Sequence, residues 1–326
     1  MKTIEIKELV KRYKELLALD HFNLEVREGE ILGFLGPNGC GKTTAINCML
    51  GLLTYDKGDI RIFGEAMVPN AYHIKKNIGL VPQELAYFEQ LTVYENIDFF
   101  CGLYIKDKQR RKNLVEEAIS FVGMEDYRKF FPNKLSGGLK RRLNIACGIA
   151  HRPKLIFLDE PTVAVDAQSR NFILEGIKRL NKEGSTIVYT THYLDEADQL
   201  CDRIVIMDKG HNVVDGTPEE LKSMIATKEI IHLELVEGAS DAIIKKMESL
   251  PHLQLLDKNK SAYTLQFTQK GSNIVALAQL LNQHGLAYLK LYSEQPSLSD
   301  VFLSFTGNPQ CLYQPDCGRI LPLLAI

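Results

Sequence analysis

Residues 1–10 and 21–27 alternate polar and apolar positions, the two-residue period of half-buried strands. Ile31–Leu35 is a short apolar run that leads into the glycine-rich stretch GPNGCGKTT, and a helix is predicted over 45–53. Residues 77–82, 155–159, 185–191 and 203–208 are further apolar runs of strand length. From about 84 to 150 the pattern is mostly helical, with no strong strand. Helices are predicted around 167–182 and at 194–200, followed after the last strand by a turn at Lys209-Gly210. Apolar strands alternating with helices predict an α/β fold: a mostly parallel sheet with helical cover, interrupted by a helical insert at about 84–150.

After residue 222 the texture changes. Strand 229–236, helix 239–250, strands 252–257 and 261–268, helix 272–284 and strand 287–292 give the order βαββαβ, which predicts a small ferredoxin-like α+β domain. The expected organisation is therefore a main domain at 1–222 and an accessory domain at 223–307. The tail 308–326, with three prolines and two cysteines, fits neither.

Composition narrows the class. Of 326 residues, 45% are apolar and 25% charged, as in ordinary globular proteins, and a net charge of -2 supplies no field to attract nucleic acid. Short basic runs at 106–112 and 140–142 read as solvated faces. The charged start excludes a secretory signal peptide, and no apolar stretch approaches the roughly 18 residues needed to span a bilayer. Seven scattered cysteines without a CxxC pair predict reduced thiols in a cytoplasm.

Gly36, Gly41, Lys42 and Thr43 satisfy G-x-x-x-x-G-K-[ST], the phosphate-binding P-loop, and they sit between an apolar strand and a helix as that motif requires. Glycines let backbone N–H groups approach phosphate oxygens, and the following helix offers unpaired N–H groups. Gly36, Pro37, Asn38, Gly39, Cys40, Gly41, Lys42, Thr43 and Thr44 are the candidate phosphate cradle. Lys42 is expected at the β- and γ-phosphates and Thr43 on Mg²⁺. Cys40 has two readings, a small apolar filler or a thiol whose modification blocks the nucleotide.

Asp159 and Glu160 end the strand LIFLD, where open α/β sheets gather ligands. Asp159 is expected in the Mg²⁺ shell, and Glu160 as general base or orienter of the attacking water. His192 follows another buried strand and is expected to contact the γ-phosphate. Gln83 follows NIGLVP and reads either as a polar strand end or as a ligand of metal or water.

With Leu135-Ser136-Gly137-Gly138 some twenty residues before the acidic strand, the chain resembles the ATP-binding subunits of ABC transporters over residues 1 to about 222. The resemblance implies a P-loop NTPase fold and a dimer, of identical or paralogous subunits, that sandwiches two ATP molecules. Ser136, Gly137 and Gly138 of one subunit would cap the γ-phosphate held by Lys42 of the other. It further implies that Tyr13 stacks on adenine, that Gln83 senses nucleotide and membrane subunit, that Asp166 lies at the dimer seam, and that His192 is the switch histidine. Leu139 stands where the family usually has glutamine, and Ala164 where relatives often have glycine. GLVPQE, LTVYENI, LSGGLKRRL, PTVAVD and PSLSDVFLSFTG are similar to the drug-exporter subgroup typified by daunorubicin-resistance pumps. That subgroup implies separate membrane permease subunits, a place on the cytoplasmic face of the membrane and no nucleic-acid partner. Leu85, Tyr87, Phe88 and Tyr94 are then either a groove for a permease helix or the core of the helical insert. The competing reading, a soluble ABC ATPase acting on ribosomes or nucleic acid, is disfavoured by a single cassette and the lack of a sustained heptad run.

Overall fold

The computed structural model describes residues 1–225, 229–268, 273–294 and 296–307. The tail 308–326 and the first residue of the helix predicted at 272–284 lie outside the described residues. Two compact units are present, one taking in Met1–Pro218 and the other Glu219–Ser304.

In chain order the first unit opens with β1 (Lys2–Tyr13), β2 (Leu16–Arg27), β3 (Ile31–Leu35) and α1 (Lys42–Met49). Next come β4 (Lys57–Ile62), β5 (Glu65–Ala66), α2 (Tyr72–Lys75) and β6 (Ile78–Val81). The helical insert holds α3 (Val93–Gly102), α4 (Lys108–Phe121) and α5 (Gly137–Ile149). The unit continues with β7 (Leu155–Asp159), α6 (Ala167–Lys182), β8 (Thr186–Thr190), α7 (Leu194–Leu200), β9 (Arg203–Asp208) and β10 (His211–Gly216). Beyond it lie α8 (Pro218–Ile225), β11 (Glu229–Leu235), α9 (Asp241–Glu248), β12 (Leu253–Asn259), β13 (Ala262–Phe267), α10 (Asn273–Gln283), β14 (Tyr288–Glu294) and α11 (Leu298–Thr306).

The central six-stranded sheet runs β10-β9-β3-β8-β7-β6 and is parallel except for the edge strand β10. β3 and β8 are buried along their whole length, as strands covered on both faces must be. The two alternating segments at the start do not enter this sheet. They lengthen into β1 and β2, joined by a tight turn at Lys14, and form a separate antiparallel sheet in the order β2-β1-β4-β5. Their alternation gives one apolar face, which suits a sheet buried on one side only. Ile4, Ile6, Phe22 and Leu24 from that face, Ala45, Ile46 and Met49 from α1, and Phe34, Phe157 and Val205 from the parallel sheet form one continuous core. α1 is thereby locked into a single orientation.

α1 begins at Lys42, earlier than the predicted 45, because Gly41 takes a left-handed conformation and acts as its N-cap. It stops at Met49 because Gly51 adopts a positive φ just beyond the end. α5 lies directly on β6, and two glycines make that approach possible. A Cβ on Gly79 would meet the Gly148 carbonyl oxygen at 2.6 Å, and one on Gly148 would meet Leu80 O at 2.8 Å.

In the second unit β11 to β14 form an antiparallel sheet in the order β12-β13-β11-β14. With α9 and α10 this is the ferredoxin-like order. Its core contains Ile231, Leu233, Leu265, Phe267, Met247, Leu277 and Leu281. No helix among the described residues is long and apolar enough to cross a membrane.

Gly79→Ala is expected to cost about 1–3 kcal/mol, because the methyl group meets helix backbone and Pro153 at 2.7 Å, which cannot swing aside. Urea denaturation measures this. An unchanged midpoint would mean that α5 can lift off β6 freely.

Candidate functional site

The site grows from the carboxyl ends of β3, β6, β7 and β8, which parallel pairing brings to one edge of the sheet. Past β3 the chain turns through Gly36 to Gly41 and enters α1. Neither end of this loop tolerates a side chain. A Cβ on Gly36 would sit 2.3 Å from Met207 O and 2.6 Å from Cys40 Sγ, and one on Gly41 would sit 2.6 Å from Ala18 O. Lys42 Nζ spans the loop, donating to the carbonyls of Gly36 (2.7 Å) and Pro37 (3.0 Å). The loop is pinned from outside by Gly210, whose N–H donates to Cys40 O at 2.9 Å and whose carbonyl accepts from Asp20 N at 3.1 Å.

Cys40 is buried, and burial pushes its thiol pKa above the ordinary value even with Lys42 nearby. This environment suits the filler reading, because a protonated thiol is a poor nucleophile.

Asp159 ends β7 opposite Thr190 of β8, whose hydroxyl donates to Asp159 Oδ1 at 2.5 Å. The next backbone N–H, of Glu160, donates to Thr190 O (3.1 Å) and Thr190 Oγ1 (3.0 Å). Glu160 adopts φ 48°, a left-handed conformation that non-glycine residues rarely take. Its Oε2 accepts from Gln83 Nε2 at 3.1 Å and lies 3.4 Å from His192 Nδ1. Two residues from two other loops thus converge on one carboxylate oxygen of Glu160. Hydrogen bonding to His192 holds the Glu160 carboxyl below its ordinary pKa. The charges of His192, Lys42 and Arg141 act in the same direction, and burial acts against them.

A cleft of about 400 Å³ is lined by Tyr13, by the loop from Asn38 to Thr44, and by Gln83, Asp159 and Glu160. The structure therefore brings most candidates together. Gly36 and Pro37, at the start of the loop, are outside the lining and accept from Lys42, and His192 adjoins the cleft through Glu160. Ser136, Gly137, Gly138 and Asp166 are not part of the lining. Ser136 caps α5 by accepting from Leu139 N at 3.3 Å, and Asp166 caps α6 by accepting from Ser169 N at 2.9 Å. These two helix starts touch each other: Gly138 packs so tightly on Ser169 that a Cβ would come within 2.2 Å of Oγ. Ala164, between Glu160 and Asp166, has φ 58°, a backbone setting that favours glycine.

Two residues not anticipated from sequence complete the site. Arg141, read as part of a solvated basic run, is instead buried on α5 and donates to Pro82 O at 3.2 Å. Asn144, one turn along, donates to the same carbonyl at 3.1 Å and accepts from Ala86 N at 2.9 Å. The segment bearing Gln83 is thus clamped at both ends to the helix that starts at Ser136. Arg142 does not point to open solvent either; its guanidinium lies 3.9 Å over the Phe172 ring.

The available donors suit a hard cation that shares phosphate oxygens. Thr43, Gln83 and Asp159 offer oxygen atoms, and no group of three His, Cys, Asp or Glu among the described residues could hold a metal by itself.

Comparison with known proteins places the chain in a family. Residues 19–163 match the ABC transporter family model, and residues 216–306 match that of the ATP-binding protein DrrA1-3-like, C-terminal domain. The linearmycin resistance ATP-binding protein LnrL of Bacillus subtilis is 34% identical over 307 residues, covering 94% of this chain and 98% of that protein. The daunorubicin/doxorubicin resistance ATP-binding protein DrrA of Streptomyces peucetius is 35% identical over 310 residues, covering 94% and 93%. Among solved structures, the dimeric post-hydrolysis state of the ATP-binding cassette MJ0796, bound to ADP and Pi, superposes with a TM-score of 0.60. It is 28% identical, over 66% of this chain and 98% of that one.

Substitutions at two positions test this geometry. Ala164→Val loses about 1–2 kcal/mol in urea denaturation, since a β-branched residue resists positive φ. Ala164→Gly stays within about 0.5 kcal/mol, because relieved strain is offset by unfolded-state entropy. His192→Ala removes the main cause of the lowered Glu160 pKa and leaves burial, which raises it, opposed only by the charges of Lys42 and Arg141. The carboxyl should then titrate at higher pH by carbon-13 NMR, and the stabilisation linked to its ionised form should be lost at higher pH as the solution is acidified.

Proposed function

The chain belongs to the ABC transporter family as an ATP-binding subunit, and from that premise we propose that it powers export through separate membrane subunits from the cytoplasmic face of the membrane. ATP binding and ATP hydrolysis coupled to transport are its activity as a member of this family. The observation that carries the mechanistic reading is the convergence of Gln83 and His192 on Glu160 Oε2, in the cleft formed by the phosphate loop.

In this reading Lys42 and the amides of Gly39 to Thr44 hold the triphosphate, and Tyr13 stacks on the adenine. Thr43, Asp159 and Gln83 would hold Mg²⁺, which would supply neutralisation of phosphate charge. Glu160, kept ionised by its surroundings, orients the attacking water and accepts its proton as the bond to the γ-phosphorus forms and ADP leaves. His192 contacts the γ-phosphate. Ser136 and Gly137 are exposed and outside their own chain's cleft, which supports a role across a dimer interface, capping the nucleotide of a second copy beside Asp166.

The docking surface proposed for the permease centres on Leu85 and Phe88, which are exposed, with Tyr87 and Tyr94 half-buried. Phe88 packs edge-on against exposed Phe99 at 4.9 Å. An aromatic patch of this kind, next to the clamped Gln83 segment, suits an apolar partner helix. The proposed domains are the motor at 1–222 and an accessory domain at 223–307.

Glu160→Gln is expected to bind ATP normally, to form an ATP-dependent dimer, and to hydrolyse at least about 100-fold more slowly. Purified from native membranes with MgATP, it should bring down a multi-span membrane protein. Ribosomes or nucleic acid in its place would establish the competing reading.

A further inference from the structure

Glu196, in the first turn of α7, is buried, with only 5% of its surface exposed, and takes no part in the mechanism above. Its Oε2 accepts from three hydroxyls: Tyr189 at 2.6 Å, Thr162 at 2.8 Å and Thr191 at 3.1 Å. These donors come from distinct places. Tyr189 lies on β8, Thr162 two residues beyond Glu160, and Thr191 immediately before His192. The other oxygen, Oε1, lies 3.4 Å from Arg170 Nε of α6, an ion-pair distance without the alignment of a hydrogen bond. Arg170 in turn lies 4.5 Å over the ring of Tyr193, and that ring stands 4.1 Å from the ring of His192. Tyr193 N donates to Thr191 Oγ1 at 2.9 Å. Both chain neighbours of His192 are therefore tied, directly or through Arg170, to one carboxylate.

Three donors on a single oxygen suit a carboxylate, whose charge makes each hydrogen bond stronger than one to a neutral amide oxygen. Burying a carboxylate is costly, and stability alone is served as well by apolar packing. Tyr189 is held protonated, its pKa raised by burial and by the Glu196 charge, so it remains a donor.

We propose that Glu196 is a positioning residue for hydrolysis: it fixes His192 against Glu160 and, through Thr162, holds the segment after Glu160 to the same anchor. The inference rests on the reading of His192 as a γ-phosphate contact. The carboxylate is not part of the cleft lining; it acts through the histidine.

The test is Glu196→Gln, alone and combined with His192→Ala, in the full chain. ATP affinity, read by equilibrium binding, should stay within about twofold, because the phosphate loop is untouched. The kcat should fall about tenfold or more, as expected for a misplaced group at the reacting centre. In the His192→Ala background, Glu196→Gln should lower the residual kcat no further. Thr191→Val, which removes one donor at similar volume, should also lower kcat at constant ATP affinity, and Thr191→Ser should restore it. This pair decides the matter if the glutamine variant does not fold. Parallel loss of ATP affinity and kcat, or a full additional loss in the His192→Ala background, would mean that Glu196 merely supports the fold. If His192→Ala alone leaves kcat unchanged, the role given to the histidine is wrong and the inference falls with it. If His192→Ala lowers kcat but Glu196→Gln does not, the inference alone fails.

Discussion

Asp159 and Thr190 face each other across the β7–β8 ladder, and the hydrogen bond between their side chains fixes the point at which the acidic pair leaves the sheet. The same threonine, through its carbonyl and hydroxyl, receives the N–H of Glu160 and so turns the chain out of the sheet. Parallel register does the rest. With β3, β6, β7 and β8 all running the same way, the phosphate loop, Gln83, the acidic pair and His192 leave the sheet on one edge. A small shift of one strand against the next would break the convergence on Glu160 while leaving each motif intact in the chain.

The second organising contact is between β6 and α5. Gly79 and Gly148 let strand and helix approach backbone to backbone, and Arg141 and Asn144 then grip the segment that follows β6. The start of α5 is capped by Ser136 and packs on the start of α6 near Asp166. One rigid helix therefore links Gln83 at its side to Ser136 at its tip. In a nucleotide-driven closure, movement of the helical insert would carry both ends together, and under the docking surface proposed above a permease would have a mechanical route to Glu160.

Much of this was legible in the sequence because it is local. The phosphate loop is nine contiguous residues between a strand and a helix, and the segments expected at 167–182 and 194–200 coincide with α6 and α7. Asp159 and Glu160 announce themselves by ending an apolar run. The antiparallel sheet was less readable. β4 begins Lys-Gly-Asp and carries no apolar run, and alternation in β1 and β2 cannot reveal which sheet a strand joins. Least legible were the residues defined only by distant partners. Glu196 in LDEADQ looks like a solvated carboxylate at a helix start, yet its partners stand at 162, 170, 189 and 191. Arg141 sits in a basic run and is nonetheless buried, because the acceptor it needs is the carbonyl of residue 82.

That acceptor has a consequence for how such proteins diverge. Arg141 and Asn144 both bind the carbonyl of Pro82, and Asn144 also takes the N–H of Ala86, so each contact is made to main chain rather than to a partner side chain. Residues 82 and 86 can change identity through descent without loosening the grip, and no compensating change at 141 or 144 is called for. A contact of this kind leaves no paired signal in an alignment. It would surface only as two invariant columns with no apparent correspondents, and a method that infers contacts from coordinated substitutions would pass over the link that ties α5 to the Gln83 segment.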